Sequence, residues 1–276
     1  MDPRTAAVVA LKPGTHAKSR LASLPDPLRR RLAWTMAVDT LLALAEAVQT
    51  VLVVSDEPAL ASRLARAGVR ARVAAEAGAV GINAALRRGA ELLNDDGHCA
   101  VVACVGDLPA LRAGCVRTVL QAAPPGGRCY VADASGVGTT MLVARGVALD
   151  PRFQGRSAAA HRASGALALT DDLLGAPVAR ARRDVDTEVD LGQAVILGLG
   201  PATSALVDHG TGRLGAYAVI TTTGITDDRG QPLAVTSGGS RLVLPAAALA
   251  EGLRTLRPGQ RLHGVHAAGS VLSAWL

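Results

Sequence analysis

The two lysines of the chain, Lys12 and Lys18, lie in one short segment that also contains Arg20. Because every other basic residue is an arginine or a histidine, two compact and mobile ammonium groups in one segment suggest phosphate binding. The segment follows an apolar run at residues 6–11 and lacks the Gly-rich pattern that ends in Gly-Lys-Ser/Thr, which excludes a P-loop. We predict that these three side chains are catalytic, because they could wrap a triphosphate and neutralise the charge on its leaving group. A solvated basic loop is the alternative.

Three aspartates have the residue type and position expected of ligands for a hard cation. Asp107 follows an apolar run at residues 100–105, and Asp184 and Asp186 are separated by one residue, so in an extended chain they point to the same side. Carboxylates are preferred ligands of Mg²⁺, and the sequence therefore predicts a magnesium site. The alternative is helix capping, by Asp107 for one helix and by Asp186 or Thr187 for another.

A third candidate site lies near residues 153–165. Ser157 has the features of the N-cap of a short helix that ends at Gly165, and Arg156 precedes it. The start of a helix beside an arginine is suited to binding an anion, although an ordinary cap explains the same residues. His161 lies one turn further along, and we expect it to orient or pack rather than to act as a base.

These residues must be positioned by an α/β fold, because apolar strand-like runs alternate with helix-like stretches over the first two hundred residues. The patterns predict strands at 6–11, 50–54, 69–73, 100–105, 128–132 and 140–144, and helices at 27–47, 57–67, 82–93, about 109–121 and 188–196. The carboxyl ends of parallel strands share one edge of a sheet, where ligands bind. The segment with the two lysines and Asp107 each follow a predicted strand, and Asp184 and Asp186 are expected at the same edge.

Beyond a break near residues 199–210 the pattern changes to short β-rich runs at 215–222, 233–236, 241–244 and 261–267. We predict a catalytic domain at residues 1–210 and a small all-β, barrel-like domain at 211–276. The tail has a faint resemblance to a cold-shock or other five-stranded barrel. Barrels of that kind stack bases on aromatic side chains, and here only Tyr217 and Trp275 are present. A structural or dimerisation role is therefore expected.

The composition narrows the class of protein. The chain has 276 residues, 49% of them hydrophobic but only 2% aromatic, so a core of Ala, Val and Leu is expected. No apolar run reaches the roughly 18–20 residues that span a bilayer, and no secretory signal is recognisable, so we expect a cytoplasmic protein that does not enter a membrane. The four cysteines show no metal-binding spacing and are expected to be buried thiols.

Several ordered motifs resemble one family of enzymes. They are Leu11-Lys-Pro, Ala17-Lys-Ser-Arg-Leu21, Gly81-Ile-Asn-Ala-Ala-Leu86, Gly106-Asp-Leu-Pro-Ala-Leu111, Val131-Ala-Asp133, Gly136-Val-Gly-Thr139, Pro151-Arg-Phe153, Ser157, His161-Arg162, Ser164-Gly165 and Asp184-Val-Asp-Thr187. Together they resemble the guanylyltransferases of coenzyme F420 biosynthesis, which act on 2-phospho-L-lactate or phosphoenolpyruvate. The resemblance runs from about residue 6 to residue 203, and the residues around Ser157 are most similar to the phosphoenolpyruvate branch.

The resemblance implies a role for individual residues. It places Mg²⁺ on Asp107, Asp184 and Asp186, phosphoenolpyruvate on Thr139 and Ser157, and the guanine base on Asn83. A glycine usually follows the phenylalanine of the Pro-Arg-Phe motif, whereas this chain has Gln154 followed by Gly155. We assign the substrate contact to Gln154, through its main chain, with Gly155 as the alternative. The implied fold is the nucleotidyltransferase sheet of the nucleotide-diphospho-sugar transferases.

The expected activity is transfer of GMP from GTP to phosphoenolpyruvate, which forms enolpyruvoyl-2-diphospho-5'-guanosine and pyrophosphate. The same transfer to 2-phospho-L-lactate or 3-phosphoglycerate is an alternative, because these acids differ little. From a different class, a nucleic-acid-binding protein would use the net charge of +6 and the tail. The expected partners are GTP, Mg²⁺ and a phosphorylated three-carbon acid, while a homodimer and contact with the next enzyme of the pathway are left open.

Overall fold

The computed structural model describes residues 4–11, 21, 26–175, 178–209, 216–249, 253, 256–267 and 269–275. They form two compact units: the first ends at Asp184, and the second begins at Val185 and also takes in the described residues between 17 and 32. The boundary predicted near residue 210 follows the change in sequence pattern. The boundary between the two compact units lies earlier in the chain, between Asp184 and Val185, because the helix at Glu188–Leu197 packs on strands of the tail.

The first unit contains a sheet and its flanking helices. The strands are β1 (Thr5–Ala10), β2 (Thr50–Val54), β3 (Arg72–Ala74), β4 (Ala100–Cys104), β5 (Gly127–Ala132), β6 (Thr139–Arg145) and β7 (Leu167–Ala168). The helices are α1 (Asp26–Ala47), whose first residues belong to the second unit, α2 (Leu60–Arg66), α3 (Ile82–Asp95), α4 (Ala113–Ala122), α5 (Ser157–Ala163), α6 (Asp171–Leu174) and α7 (Ala179–Arg182).

The seven strands pair in the order β3-β2-β1-β4-β6-β5-β7. β1 is parallel to β2 and β4, whereas β6 is antiparallel to both of its neighbours, β4 and β5. The remaining pairs, β2 with β3 and β5 with β7, are parallel, so β6 runs against the rest of the sheet. The prediction of a mostly parallel α/β sheet is confirmed. Because of the reversal, the first residue of β6 lies at the edge where the parallel strands end.

Helix α3 packs unusually close to the sheet. Its residue Gly89 is buried, and a Cβ atom there would lie 2.4 Å from Cγ2 of Val8 and 2.8 Å from Cγ2 of Val54. Only glycine fits this approach without a shift of its neighbours. The surrounding core consists mainly of Ala, Val and Leu side chains, with Tyr130 and Phe153 as its aromatic members among the described residues.

The second unit contains α8 (Glu188–Leu197), α9 (Pro201–His209) and a barrel. Its strands are β8 (Ala216–Thr226), β9 (Pro232–Thr236), β10 (Arg241–Val243), β11 (Arg261–Ala267) and β12 (Ser270–Trp275), and they close in the order β10-β12-β11-β8-β9. All pairs are antiparallel except β10 with β12. Among the described helices none is by itself long and apolar enough to cross a membrane. Two consecutive helical segments, Glu188–Leu197 and Pro201–Val207, are together long and apolar enough to do so by length and composition alone, but they are bent by 118°.

Two predicted helices begin later than the sequence pattern indicates. Helix α2 starts at Leu60 rather than at residue 57, and α4 starts at Ala113 rather than near residue 109. In the second case residues 108–111 form a buried turn, which is closed by a hydrogen bond of 3.0 Å from the N–H of Leu111 to the carbonyl of Leu108. The apolar residues there are buried as a turn, which helical periodicity does not distinguish from a first helical turn.

Candidate active site

The reversed strand β6 brings residues from distant parts of the chain to one edge of the sheet. Its first residue, Thr139, pairs with Ala132 at the end of β5, and Met141 pairs with Cys104 at the end of β4. The N–H of Val105 continues this pairing by donating to the carbonyl of Thr140 at 3.0 Å. The start of β6 and the ends of β4 and β5 therefore form one ligand-binding edge, as is usual for open α/β sheets.

Asp107 lies three residues beyond β4, and the Oδ1 atom of its carboxylate is buried. The next residue, Leu108, is fully buried, and its N–H donates to Oγ1 of Thr40 at 3.0 Å, which fixes the backbone that carries Asp107. Burial, and then the charge of the nearby Asp107, raises the pKa of the Cys104 thiol at the end of β4. The N-cap residue of α4 is Arg112, which excludes the capping alternative for Asp107.

Asp184 and Asp186 flank Val185, which is fully buried, while both aspartates are half-buried. The N-cap of α8 is Thr187, in a capping box with Asp190: Oδ2 of Asp190 accepts from the N–H of Thr187 at 2.9 Å and from its hydroxyl at 2.8 Å. The cap of this helix is therefore Thr187 and not Asp186. Asp184 belongs to the first unit, and Asp186 to the second.

Each of the three aspartates has the donor chemistry of a ligand for a hard cation, since carboxylate oxygens are the ligands that Mg²⁺ prefers, and the Oδ1 atom of Asp107 is already withdrawn from water. Among the described residues there is no group of three or more His, Cys, Asp and Glu side chains that could hold a metal ion by itself. Magnesium usually takes one or two carboxylates together with substrate phosphates rather than a cage made only of protein. The magnesium site stays a prediction.

His161 is the centre of a hydrogen-bonded cluster that sequence reasoning did not predict. Its ring is fully buried, 5.8 Å from the ring of Tyr130 and 5.2 Å from that of Phe153 (centroid to centroid). Its Nδ1 atom lies 2.9 Å from Oγ1 of Thr139, and its Nε2 atom accepts from the N–H of Arg152 at 2.9 Å. The cluster thereby connects the start of β6, helix α5 and the loop that precedes it.

Ser157 is the first residue of α5 and not its N-cap, which corrects the sequence-based interpretation. The capping position is held by Arg156, whose side chain makes no capping bond. The N–H of Ala158 donates to the carbonyl of Val137 at 3.1 Å, so one N–H group at the start of the helix is engaged by the turn before Thr139. Ser157 is buried and lies beside that turn.

Asn83, which the resemblance places on the guanine base, has another role in the structure. Its Oδ1 atom accepts from the N–H of Phe153 at 2.7 Å, and its Nδ2 atom donates to the carbonyl of the same residue at 3.0 Å. Both halves of the amide thus hold main chain 70 positions away, so a base contact would have to use the second hydrogen or the remaining lone pairs. Base recognition by Asn83 stays a prediction.

Gln154 has a φ of +88°, a conformation that favours glycine. The neighbouring Gly155 also has a positive φ, of +55°, and Asp150, at the start of the loop, has a φ of +48°. The position where the family usually has glycine is therefore a position of backbone strain in this chain. Asn83 and His161 hold the two preceding N–H groups, which maintains the strained loop.

The turn between β5 and β6 is held by residues that the sequence did not single out. Oδ1 of Asp133 accepts from the N–H of Val137 at 2.9 Å, and a Cβ atom on Gly138 would lie 2.7 Å from Oδ2 of Asp133. The guanidinium of Arg182 donates to the carbonyl of Asp133 at 3.1 Å and pairs with Asp171 at 2.8 Å. Only the Val-Ala-Asp and Gly-Val-Gly-Thr motifs could have indicated this turn.

The predicted catalytic residues Lys12, Lys18 and Arg20 lie outside the described residues. The residue before this segment is Leu11, whose N–H donates to the carbonyl of Val54 at 3.1 Å. A Cβ atom on Gly106 would lie 2.6 Å from Cδ2 of Leu11, so the chain beyond β1 and the chain beyond β4 are in close contact. These strands are neighbours at the point where the strand order reverses, which is the usual ligand crevice.

The fold defines a class of protein first. The chain shares its fold with a protein from Desulfovibrio desulfuricans G20 that is assigned to the nucleotide-diphospho-sugar transferases, with a TM-score of 0.58 and 17% identity over 76% of this chain and 96% of that one. The sequence then gives the family. Residues 5–207 match the family described as "guanylyl transferase CofC like", and the chain belongs to that family.

Individual relatives are similar over the same region. The phosphoenolpyruvate guanylyltransferase of Salinispora arenicola (strain CNS-205) is 46% identical over 205 residues, which cover 72% of this chain and 91% of that protein. The protein of the same name from Streptomyces scabiei (strain 87.22) is 45% identical over 205 residues, 72% of this chain and 93% of that protein. The family match ends before the barrel strands begin.

Proposed function

We propose that this protein transfers GMP from GTP to phosphoenolpyruvate, releasing pyrophosphate, as a step of coenzyme F420 biosynthesis. The observation that carries the proposal is membership of the guanylyl transferase family together with 46% identity to a phosphoenolpyruvate guanylyltransferase that aligns over 91% of its length. The arrangement of Thr139 and Ser157 around one buried histidine, at the ligand-binding edge of the sheet, supports an acid-binding site there.

In this reaction a phosphate oxygen of the acid attacks the α-phosphorus of GTP. The new O–P bond forms as the bond between the α-phosphorus and the oxygen bridging to the β-phosphate breaks, and pyrophosphate leaves. The attacking phosphate has a second pKa near 6 and is already an anion, so no general base is needed. His161 fits this mechanism, because burial lowers its pKa to about 4 and both ring nitrogens are engaged in hydrogen bonds.

The protein must therefore bring two anions together and hold them in line. Asp107, Asp184 and Asp186 would hold Mg²⁺, which when bound supplies charge neutralisation on the phosphates. Lys12, Lys18 and Arg20 would neutralise the triphosphate, Thr139 and Ser157 would donate to the acid, and the main chain of Gln154 would contact it. Asn83 would contact the base only through the hydrogen and lone pairs that Phe153 does not use.

The test is a panel of acceptors. Purified protein, GTP and Mg²⁺ would be combined with phosphoenolpyruvate, 2-phospho-L-lactate or 3-phosphoglycerate, and pyrophosphate release would be measured. The proposal expects release that requires all three components and is fastest with phosphoenolpyruvate. Faster release with another acid would move the assignment to that acid, and no release with any of them would contradict guanylyl transfer. Replacing GTP by CTP or ATP tests the choice of nucleotide.

The barrel supports a second candidate function, binding of single-stranded nucleic acid. Five-stranded barrels of this class bind oligonucleotides on their surface, and four arginines are exposed on the described part of this one: Arg229, Arg241, Arg257 and Arg261. Binding of single-stranded RNA would weaken steeply with salt if phosphates were contacted. Salt-independent behaviour, or no binding at low salt, would leave the barrel with a structural role.

A further inference from the structure

The tautomer of His161 follows from its partners. The main-chain N–H of Arg152 can only donate, so the Nε2 atom that receives it at 2.9 Å carries no hydrogen. The single hydrogen of the neutral ring is therefore on Nδ1. That nitrogen lies 2.9 Å from Oγ1 of Thr139, and because it is protonated the threonine hydroxyl must accept and cannot donate to it.

The hydroxyl hydrogen of Thr139 is consequently available for another acceptor. Among the described residues this hydroxyl makes no second hydrogen bond, although Thr139 is buried. Thr139 is the first residue of β6, at the edge of the sheet where the acid is proposed to bind. Carboxylate and phosphate oxygens are acceptors only, so a hydroxyl restricted to donation matches an anionic ligand.

The surroundings keep the ring in this state. Burial is the largest effect and lowers the pKa of His161 to about 4. The positive charges of Arg152 and Arg128 also lower this pKa, whereas Asp150 and the carbonyl of Ser157 raise it. Asp150 is paired with Arg128 at 2.7 Å and with Arg152 at 3.2 Å, which balances its charge. The rings of Tyr130 and Phe153 complete the enclosure.

We propose that His161 is a positioning residue of the acid subsite: its Nδ1–H fixes the Thr139 hydroxyl as a donor to the bound phosphorylated acid, and its Nε2 holds the loop that begins at Arg152. The proposal rests on the proposed function, since it needs Thr139 to contact the acid. It assigns the histidine no contact with substrate and no proton transfer. His161 acts on the KM for the acid indirectly, through Thr139 and through this loop.

Kinetics of variants test the link. Thr139→Val removes the hydroxyl and His161→Phe removes both ring hydrogen bonds, and each should raise the KM for the acid by about 10-fold or more, as loss of a hydrogen bond to a charged group does, with the KM for GTP changed less than about twofold. The double variant should be clearly less impaired than the product of the two single effects, because the contact between Nδ1–H and Thr139 is lost only once, although loss of the loop contact at Nε2 still adds to the effect of Thr139→Val. Effects that multiply in the double variant would show that the two residues act independently and would overturn the proposal.

Conservative variants separate positioning from simple packing. Thr139→Ser keeps the hydroxyl, and His161→Asn places an amide N–H near the position of Nδ1, so both should retain most of the affinity for the acid. Ser164→Ala, which removes a hydroxyl that donates to the carbonyl of His161 at 2.8 Å without touching the ring, is the matched control and should leave both KM values unchanged. A His161→Asn variant as impaired as His161→Phe would contradict the role of Nδ1–H.

A measurement without turnover keeps the proposal testable if a variant does not fold. Nitrogen-15 NMR of the wild-type protein with labelled histidine should show one ring, absent in His161→Asn, that is neutral and protonated at Nδ1 down to about pH 5. A cationic ring or an Nε2–H tautomer at pH 7 would overturn the proposal. If this tautomer is found but the wild-type protein transfers GMP to no acid, the proposed function is wrong. If the wild-type protein is active but Thr139→Val leaves the KM for the acid unchanged, only the present inference is wrong.

Discussion

Asn83 is the residue whose predicted and observed environments differ most. The resemblance assigns it to the guanine base, while the structure has it bound to both the N–H and the carbonyl of Phe153. Asn83→Asp would set a carboxylate oxygen against that carbonyl and should lower the free energy of unfolding by about 1–3 kcal/mol, as expected for an unsatisfied buried group. It should also raise the KM for the acid, because the clamped loop leads to Gln154.

Urea unfolding and steady-state kinetics would measure both effects. Asn94→Asp, at an exposed position near the end of the same helix, is the control and should change neither. If Asn83→Asp instead keeps its stability and raises only the KM for GTP, the side chain contacts the base.

Asp107 is expected to be required for turnover and not for folding. Its carboxylate is carried by a backbone that Thr40 fixes independently of the charge, so Asp107→Asn should melt close to the wild-type temperature. Loss of a metal-binding charge should lower kcat by about two orders of magnitude or more. Asp95→Asn, at an exposed position of α3, is the control. Pyrophosphate release near the wild-type rate from Asp107→Asn would remove this residue from the metal site.

Gln154 provides a test of strain. A side chain at a φ of +88° costs of order 1 kcal/mol that glycine does not incur, so Gln154→Gly should raise the free energy of unfolding by up to about 1 kcal/mol. Gln154→Ala removes the side chain beyond Cβ but keeps the Cβ atom, so it should not raise the free energy of unfolding in this way. Equal stability of the two variants in urea denaturation would show that the strain is not released.

At the scale of elements, the approach of α3 to the sheet depends on one missing side chain. Gly89→Ala would place a Cβ atom 2.4 Å from Cγ2 of Val8, and overpacking of this kind costs about 1–3 kcal/mol. Gly114, in α4, has no atom within 4 Å of a Cβ built on it, so Gly114→Ala should instead stabilise the protein by about 0.5–1 kcal/mol through helix propensity. Opposite shifts of the urea midpoint are expected, and shifts of the same sign would contradict the packing described for α3.

Elements whose periodicity is strong could be predicted from the sequence. Strand β2 is found at the predicted residues, and α3 begins at the predicted Ile82. The last barrel strand, β12, was not predicted, and neither was the two-residue strand β7. Their local sequences give no alternation long enough to recognise, and they become strands through pairing with β11 and β5.

For the candidate site as well, some features could be predicted from the sequence and others depend on contacts between distant residues. The sequence singled out Asp107 and Thr139 by residue type, position after a strand or motif resemblance, and their functional roles stay predictions. It indicated that His161 orients or packs but not which groups the ring holds, and it did not indicate the contacts of Asn83, since these depend on Arg152 and Phe153 across the fold. The direction of β6 was equally hidden, because alternation of apolar residues does not report whether a strand is parallel or antiparallel.

At the scale of the whole molecule, the family region and the compact units do not coincide. The family match covers residues 5–207, whereas the second unit begins at Val185, so α8 and α9 belong to the family region and also to the unit that contains the barrel. Within that unit α8 packs on β11 and β12. The barrel therefore packs on a helix that lies inside the family region, and the predicted ligand Asp186 lies in the same unit.

The reversal of β6 also bears on how the chain folds. β5 and β6 are joined by a turn of six residues, 133–138, whereas the pairing of β1 with β4 joins Thr5 to Ala100. Closing a short loop costs less entropy than closing a long one, so the β5–β6 hairpin should form early and the parallel pairs later. In pulsed hydrogen exchange during refolding, the amides of β5 and β6 should gain protection before those of β1. Earlier protection of β1 would contradict this order.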